Sequence, residues 1–101
     1  MRRVIVSAAA QLELRAAADW YSAQEAGLGE ELVAEVDRAL EALVEGAHRA
    51  PLWFPGRPYQ KILVHRFPYV VFFTHDDEHV HVLAIAHRRR KPGYWLKRTR
   101  K

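Results

Sequence analysis

The chain predicts an α+β fold in the order β-α-α-β-β-β, an antiparallel sheet with an N-terminal helical hairpin on one face. Three observations carry this. Two amphipathic Ala-, Leu- and Glu-rich segments lie between residues 8 and 44, broken by Gly27-Leu28-Gly29. Three runs rich in β-branched and aromatic residues follow residue 60, joined by tight turns. Between the halves, Pro51, Pro55 and Pro58 with Gly56 exclude a helix and mark a loop.

Each element follows in order. Arg3 to Val6 is a short β-branched run and reads as a strand. Ser7 is placed to cap a helix, its hydroxyl accepting from an unpaired first-turn amide; no Glu or Gln completes a capping box. The first helix should run from Ala8 to about Ala26, with Leu12, Ala16, Ala17 and Trp20 as its apolar stripe. The second should run from about Leu28 to Val44, burying Leu32, Val36, Leu40 and Leu43 on the sheet, with Gly46 to stop it. Strands are expected over Gln60 to His65, Tyr69 to His75 and His79 to His87. Their turns are Arg66-Phe67-Pro68 and the acidic Asp76-Asp77-Glu78, which makes an antiparallel meander. Val70 to Phe73 is apolar without alternation, so that strand should be central and covered on both faces. In the last strand Val80, Val82 and Ala84 should alternate with His81, Leu83 and Ile85.

Length and composition narrow the class. At 101 residues one domain is expected, set at 1–95, with a basic C-terminal tail at 96–101. No cysteine is present, which excludes disulfides and thiolate metal sites and fits a reducing cytoplasm. No apolar run approaches the about 18 residues of a membrane span, and the apolar run at the N-terminus is too short for a signal peptide, so a cytoplasmic protein with no membrane partner is expected.

Charge is polarised along the chain. Residues 11–46 hold nine of the twelve acids against Arg15 and Arg38 alone. From His87 to Lys101 there is no carboxylate, yet eight of the sixteen Lys and Arg residues lie there: Arg88, Arg89, Arg90, Lys91, Lys97, Arg98, Arg100 and Lys101. His87, Pro92, Tyr94 and Trp95 are interleaved with them. A fixed cation cluster with aromatics is a surface for a polyanion or an acidic protein partner.

Four segments in order carry a resemblance: Ala17-Ala18-Asp19-Trp20-Tyr21, Gly27-Leu28-Gly29-Glu30-Glu31-Leu32, Arg66-Phe67-Pro68-Tyr69-Val70-Val71-Phe72-Phe73, and Ala86-His87-Arg88-Arg89-Arg90. So spaced, they resemble the RelE/ParE toxin superfamily of type II toxin–antitoxin systems, nearer its ParE-like branch, over about Val4 to Trp95. The resemblance implies the same β-α-α-β-β-β order, a growth-inhibiting toxin of the kind that stabilises plasmids, and a cognate antitoxin that wraps and neutralises it. It implies one of two targets. ParE-like members poison DNA gyrase by binding, whereas RelE-like members cut mRNA on the ribosome. The nuclease branch often carries an arginine directly after the tyrosine that opens the central strand. Here that position is Val70. The ParE-like reading is therefore preferred, with the metal-independent endonuclease as the enzymatic alternative and a non-toxic protein- or nucleic-acid-binding module as the third.

Candidate residues follow from both lines. If the chain is a nuclease, His87 is the acid or base, Arg88 holds phosphate and Tyr94 stacks on a base or donates a proton; the resemblance places these three where nuclease members keep functional residues. For target or antitoxin binding the candidates are Arg66, Arg88, Arg89, Arg90, Lys91, Tyr94, Trp95, Trp53 and Phe54. Arg66 can equally pair with a helix carboxylate, Tyr94 and Trp95 can pack as a flap over the sheet, and Trp53 and Phe54 can plug a core edge. No cofactor is expected. His79 and His81 share a strand face with His75 across the hairpin, but Asp76 and Asp77 lie in the turn and no other ligand completes a set, so no metal is expected.

Overall fold

The computed structural model describes residues 1–91 and 93–99. Pro92, Arg100 and Lys101, counted above in the basic end, lie outside the described residues. The elements are β1 (Arg3–Val6), α1 (Ala8–Gln24), α2 (Leu28–Gly46), a 3-10 turn (Ala47–Arg49), β2 (Gln60–Leu63), β3 (Tyr69–His75), β4 (His79–His87) and a C-terminal 3-10 helix (Tyr94–Thr99). Ser7 caps α1 as expected: its Oγ accepts from the Ala10 N–H at 3.1 Å.

The four strands form one sheet in the order β1-β4-β3-β2. β2, β3 and β4 are the expected antiparallel meander, but β1 pairs parallel with β4, from Arg3 opposite His79 to Val6 opposite Val82. The sheet is therefore mixed rather than antiparallel throughout. The meander's third strand returns in the direction of β1, and the two helices supply the long crossover that parallel neighbours need. β2 ends at Leu63, short of the expected His65, because the chain turns through Arg66 at φ 73°. The Val64 N–H then donates to the Tyr69 carbonyl at 2.9 Å and closes the loop.

The sheet is buried on both faces around β3, as the unbroken apolar run predicts. On the helical face, Leu32, Val36 and Leu43 of α2 pack with Val71, Phe73, Val80, Val82 and Ile85; Leu40 is partly buried at the same core. On the other face, Val70, Phe72, Ala84 and Ala86 lie under Trp95, with Trp53, Tyr59, Leu83, Tyr94 and Leu96 around them. The simple alternation expected in β4 fails at a bulge. Phe72 pairs with Ala84 but Phe73 pairs with Val82, so Leu83 is the extra residue. Val82 and Ile85 thereby share the helical face, while Leu83 and Ala84 share the other.

The stripe expected on α1 is also corrected. Leu12, Ala16 and Trp20 point to solvent, Leu12 at 63% and Trp20 at 59% exposure, while Ala10 and Ala17 are buried with Leu14 and Tyr21 beside them. The two helices pack closely. A Cβ on Gly29 of α2 would sit 2.2 Å from both the Ala18 carbonyl oxygen and the Ser22 Oγ, so the two helices touch backbone to backbone. Small side chains are what that contact admits, as at Ala18 and Ser22.

Candidate functional site

β4 runs out of its neighbour halfway along. β1 ends opposite Val82, so residues 83–87 have no strand on that side. α1 supplies the missing partner through one side chain, Glu13. Its Oε1 accepts from the Ile85 N–H at 3.0 Å and from Arg98 Nη1 at 3.0 Å; its Oε2 accepts from the Tyr94 hydroxyl and from Arg98 Nη2 at 3.1 Å. Arg90 Nη1 stands 3.5 Å from the same oxygen. Arg98 also donates to the carbonyl of the bulged Leu83 at 3.1 Å. This network fastens the C-terminal 3-10 helix to both β4 and α1. The boundary expected between residues 95 and 96 thus falls inside that helix, and Arg98 of the expected tail is half-buried at its anchor.

The network fixes its own protonation. Burial pushes the Glu13 carboxyl up, but hydrogen bonds from Arg98, Tyr94 and the Ile85 N–H outweigh it and hold the group below the usual glutamate range. Burial and the adjoining Glu13 carboxylate push the Tyr94 phenol up to about 12. The Tyr94 hydroxyl is therefore a committed donor. Its ring is sandwiched as well, with the Arg90 guanidinium 3.5 Å from the ring centre and that of Arg98 at 5.1 Å.

Beside the network lies a depression of about 280 Å³ lined by Trp53, Lys61, Leu63, Val70, Phe72, Ala86, His87, Arg88, Arg90, Lys91 and Tyr94. Six of the expected site residues meet there: Trp53, His87, Arg88, Arg90, Lys91 and Tyr94. Lys61 joins them from β2, and the apolar Val70 forms part of the floor. Among the described residues Arg88, Arg89 and Lys91 form no ion pair, whereas Arg66, Arg90 and Arg98 each face a carboxylate. The His87 ring stands edge-on to Tyr69 at 5.4 Å, and its Nδ1 accepts from the Arg89 N–H at 3.1 Å, so in the neutral ring Nε2 carries the proton.

The remaining expected residues lie elsewhere. Trp95 is fully buried beneath the depression, in ring contact with Trp53, Tyr59 and Phe72. It supports the surface and does not present itself to a partner, because the aromatic cover of the sheet closes over it. Trp53 is half-buried in that cover, and Gly93, at φ 84°, turns the chain so closely that a Cβ there would lie 3.4 Å from the Trp53 ring. Phe54, by contrast, is 56% exposed at the loop tip. Arg66 pairs with Glu31 of α2 at 3.0 Å and does not line the depression, and Arg89 lines a separate small cleft with Pro68, His87 and Arg88.

Sequence reasoning missed Glu13, Arg98 and Lys61. Glu13 carried a signal: it falls between Ala10 and Ala17 at helical spacing, and both of those alanines are buried. A carboxylate on that face must find cations or amides.

No curated protein matches the sequence significantly. A chain of the chromosomal ParDE TA system from P. aeruginosa superposes with a TM-score of 0.76 at 17% identity, covering 86% of this chain and 96% of that one. The likeness establishes a shared fold. No helix among the described residues is long and apolar enough to cross a membrane. The model of the family described as the ParE toxin of the type II toxin–antitoxin system, parDE, matches residues 4–92. The chain belongs to that ParE toxin family.

Proposed function

We propose that this chain inhibits growth by binding DNA gyrase through the depression between β2 and the C-terminal 3-10 helix, and that a cognate antitoxin neutralises it. One observation carries the binding reading: Arg88 and Lys91, cations without an ion pair among the described residues, stand over an apolar and aromatic floor. A metal-free ribonuclease needs an acid and a base poised near neutrality. Tyr94 does not meet that need, because its phenol is pushed up to about 12 and its proton is directed to Glu13. Arg90, beside Arg88 in the depression, is occupied by the Tyr94 ring and Glu13. What is left suits an interface: Lys and Arg at the rim, Trp53 and Phe72 beneath. The ParDE assembly named for the superposed structure supports an antitoxin as the second partner. An acidic segment that folds on binding fits the unpaired cations, its apolar residues meeting the exposed Phe54 or the outward Leu12 and Trp20 of α1.

The test is a gyrase supercoiling assay with purified protein, run beside a translation-coupled RNA cleavage assay. Supercoiling is expected to fall with no codon-periodic cuts. Cuts that vanish in His87→Ala, with supercoiling unchanged, would place the chain with the ribosome-dependent nucleases instead.

A further inference from the structure

The far end of β4 holds a second cluster that the toxin reading does not use. Asp76 opens the β3–β4 turn, and its Oδ1 accepts from the Glu78 N–H at 2.8 Å and the His79 N–H at 2.7 Å. That turn bends the carboxylate back over the strand. His79 Nδ1 then stands 3.5 Å from Oδ1, and His81 Nε2 stands 3.7 Å from Oδ2. The two imidazoles, two residues apart on one strand face, have ring centres 5.5 Å apart. One donor atom from each of the three residues lies within 4.8 Å of the others.

We propose that Asp76, His79 and His81 form a binding site for one divalent transition-metal ion of the zinc type. Donors of a tetrahedral zinc site sit about 2.0–2.2 Å from the ion and so about 3.3–3.6 Å from one another. The His79 Nδ1–Asp76 Oδ1 separation of 3.5 Å falls in that range and the His81 Nε2–Asp76 Oδ2 separation of 3.7 Å lies just outside it, so side-chain rotations bring the three donors onto one ion. Two imidazoles and one carboxylate suit zinc, nickel or copper and not magnesium or calcium, which require more oxygen ligands. The carboxylate is held in place by the backbone N–H groups of Glu78 and His79, both of which donate to its Oδ1. His75, on the neighbouring strand, stands outside this cluster of donors, its Nδ1 engaging Gln60 Oε1.

Surrounding charge is mixed. Arg2 Nε donates to the Asp76 carbonyl at 2.7 Å, and Arg3 is the register partner of His79 on β1. Asp77 and Glu78 in the same turn oppose these cations. The exposed position leaves a coordination place for water or for a donor from another molecule. An ion held there clamps the turn to the strand that follows it. It lies eight residues from His87, about 26 Å along β4, and leaves the basic depression free.

The experiment is isothermal titration of zinc chloride into the full, tag-free chain, with magnesium chloride as the control cation. One zinc per chain is expected, bound tighter than about 100 µM, with no magnesium uptake and a melting temperature that rises with zinc. His79→Ala with His81→Ala should weaken binding at least tenfold. Asp76→Asn, which keeps the turn's acceptor oxygen and removes only the charge, should weaken it less. In NMR of the wild-type protein, zinc should shift the His79 and His81 imidazole signals and leave those of His48 and His65 in place. Zinc binding unaltered in the double variant, imidazole shifts confined to other histidines, or no zinc uptake by the wild type would each overturn the site.

Discussion

The two faces of the sheet are covered by different means. The helical face is closed by Leu32, Val36 and Leu43 of α2, with Ala10, Ala17, Leu14 and Tyr21 of α1 beside them. The opposite face is closed by Trp95, Trp53 and Tyr59, drawn from one loop and a six-residue 3-10 helix. Regular periodicity builds the first cover, and it presents carboxylates outward. The second relies on a few large rings and one ion-pair anchor, and it presents unpaired cations. The proposed binding surface is the depression on the loop-covered face, where the cations gather.

If both covers are true cores, their largest buried rings should matter alike. Phe73→Ala on the helical face and Trp95→Ala on the other should each cost about 3–5 kcal/mol in urea unfolding, since both side chains are fully buried. A Trp95→Ala cost below about 1 kcal/mol would make the second cover a loose flap rather than a core.

The anchor comes next in size. Glu13→Ala strips the acceptor from Arg98, Tyr94 and the Ile85 N–H and should cost about 1.5–3 kcal/mol. The sign of its pH dependence is fixed. The folded carboxyl titrates below its unfolded value, so its contribution is present above the ordinary glutamate range and is lost as pH falls through the lowered folded value. Glu13→Gln should therefore flatten the acid limb of stability against pH. An acid limb identical to wild type would remove Glu13 from the account.

Within the helical cover, Gly29→Ala should destabilise by about 1–3 kcal/mol, because its Cβ meets the Ala18 backbone, which cannot rotate away. A neutral or stabilising result would show that the two helices are free to separate. In the other direction, Leu12→Gln and Trp20→Gln on the outward face of α1 should change stability by less than about 0.5 kcal/mol.

These contrasts also explain which parts of the fold were legible in the sequence. β1, β3 and β4 were read to the residue, because β-branched runs end sharply at Ser7, at the Asp76 turn and at the polybasic segment. The inward face of α2 was legible because its leucines and valines repeat at helical spacing. The inward face of α1 was not: Ala10 and Ala17 face the core while Leu12 and Trp20 point outward, and one sequence does not show the helix contact distance at Gly29. The parallel edge and the Leu83 bulge depend on long-range pairing that local pattern does not encode. At the site, charge and aromatic content located the basic end, and five of its residues converge with Trp53 of the proline-rich loop. The roles of Glu13 and Arg98 stayed hidden because their partners lie 85 residues apart in the chain. Asp76 was set aside for lying in a turn, yet its turn is what aims it at His79 and His81.

The most direct test of the division between the faces is gyrase inhibition by Arg88→Ala with Lys91→Ala, measured together with the melting temperature. Both side chains are exposed and unpaired, so the melting temperature should stay within about 2 °C of wild type. Wild type should inhibit supercoiling, and the double variant should lose at least tenfold in potency. A variant that melts as wild type does and inhibits gyrase equally well would contradict the account, because the basic depression would then have no part in target binding.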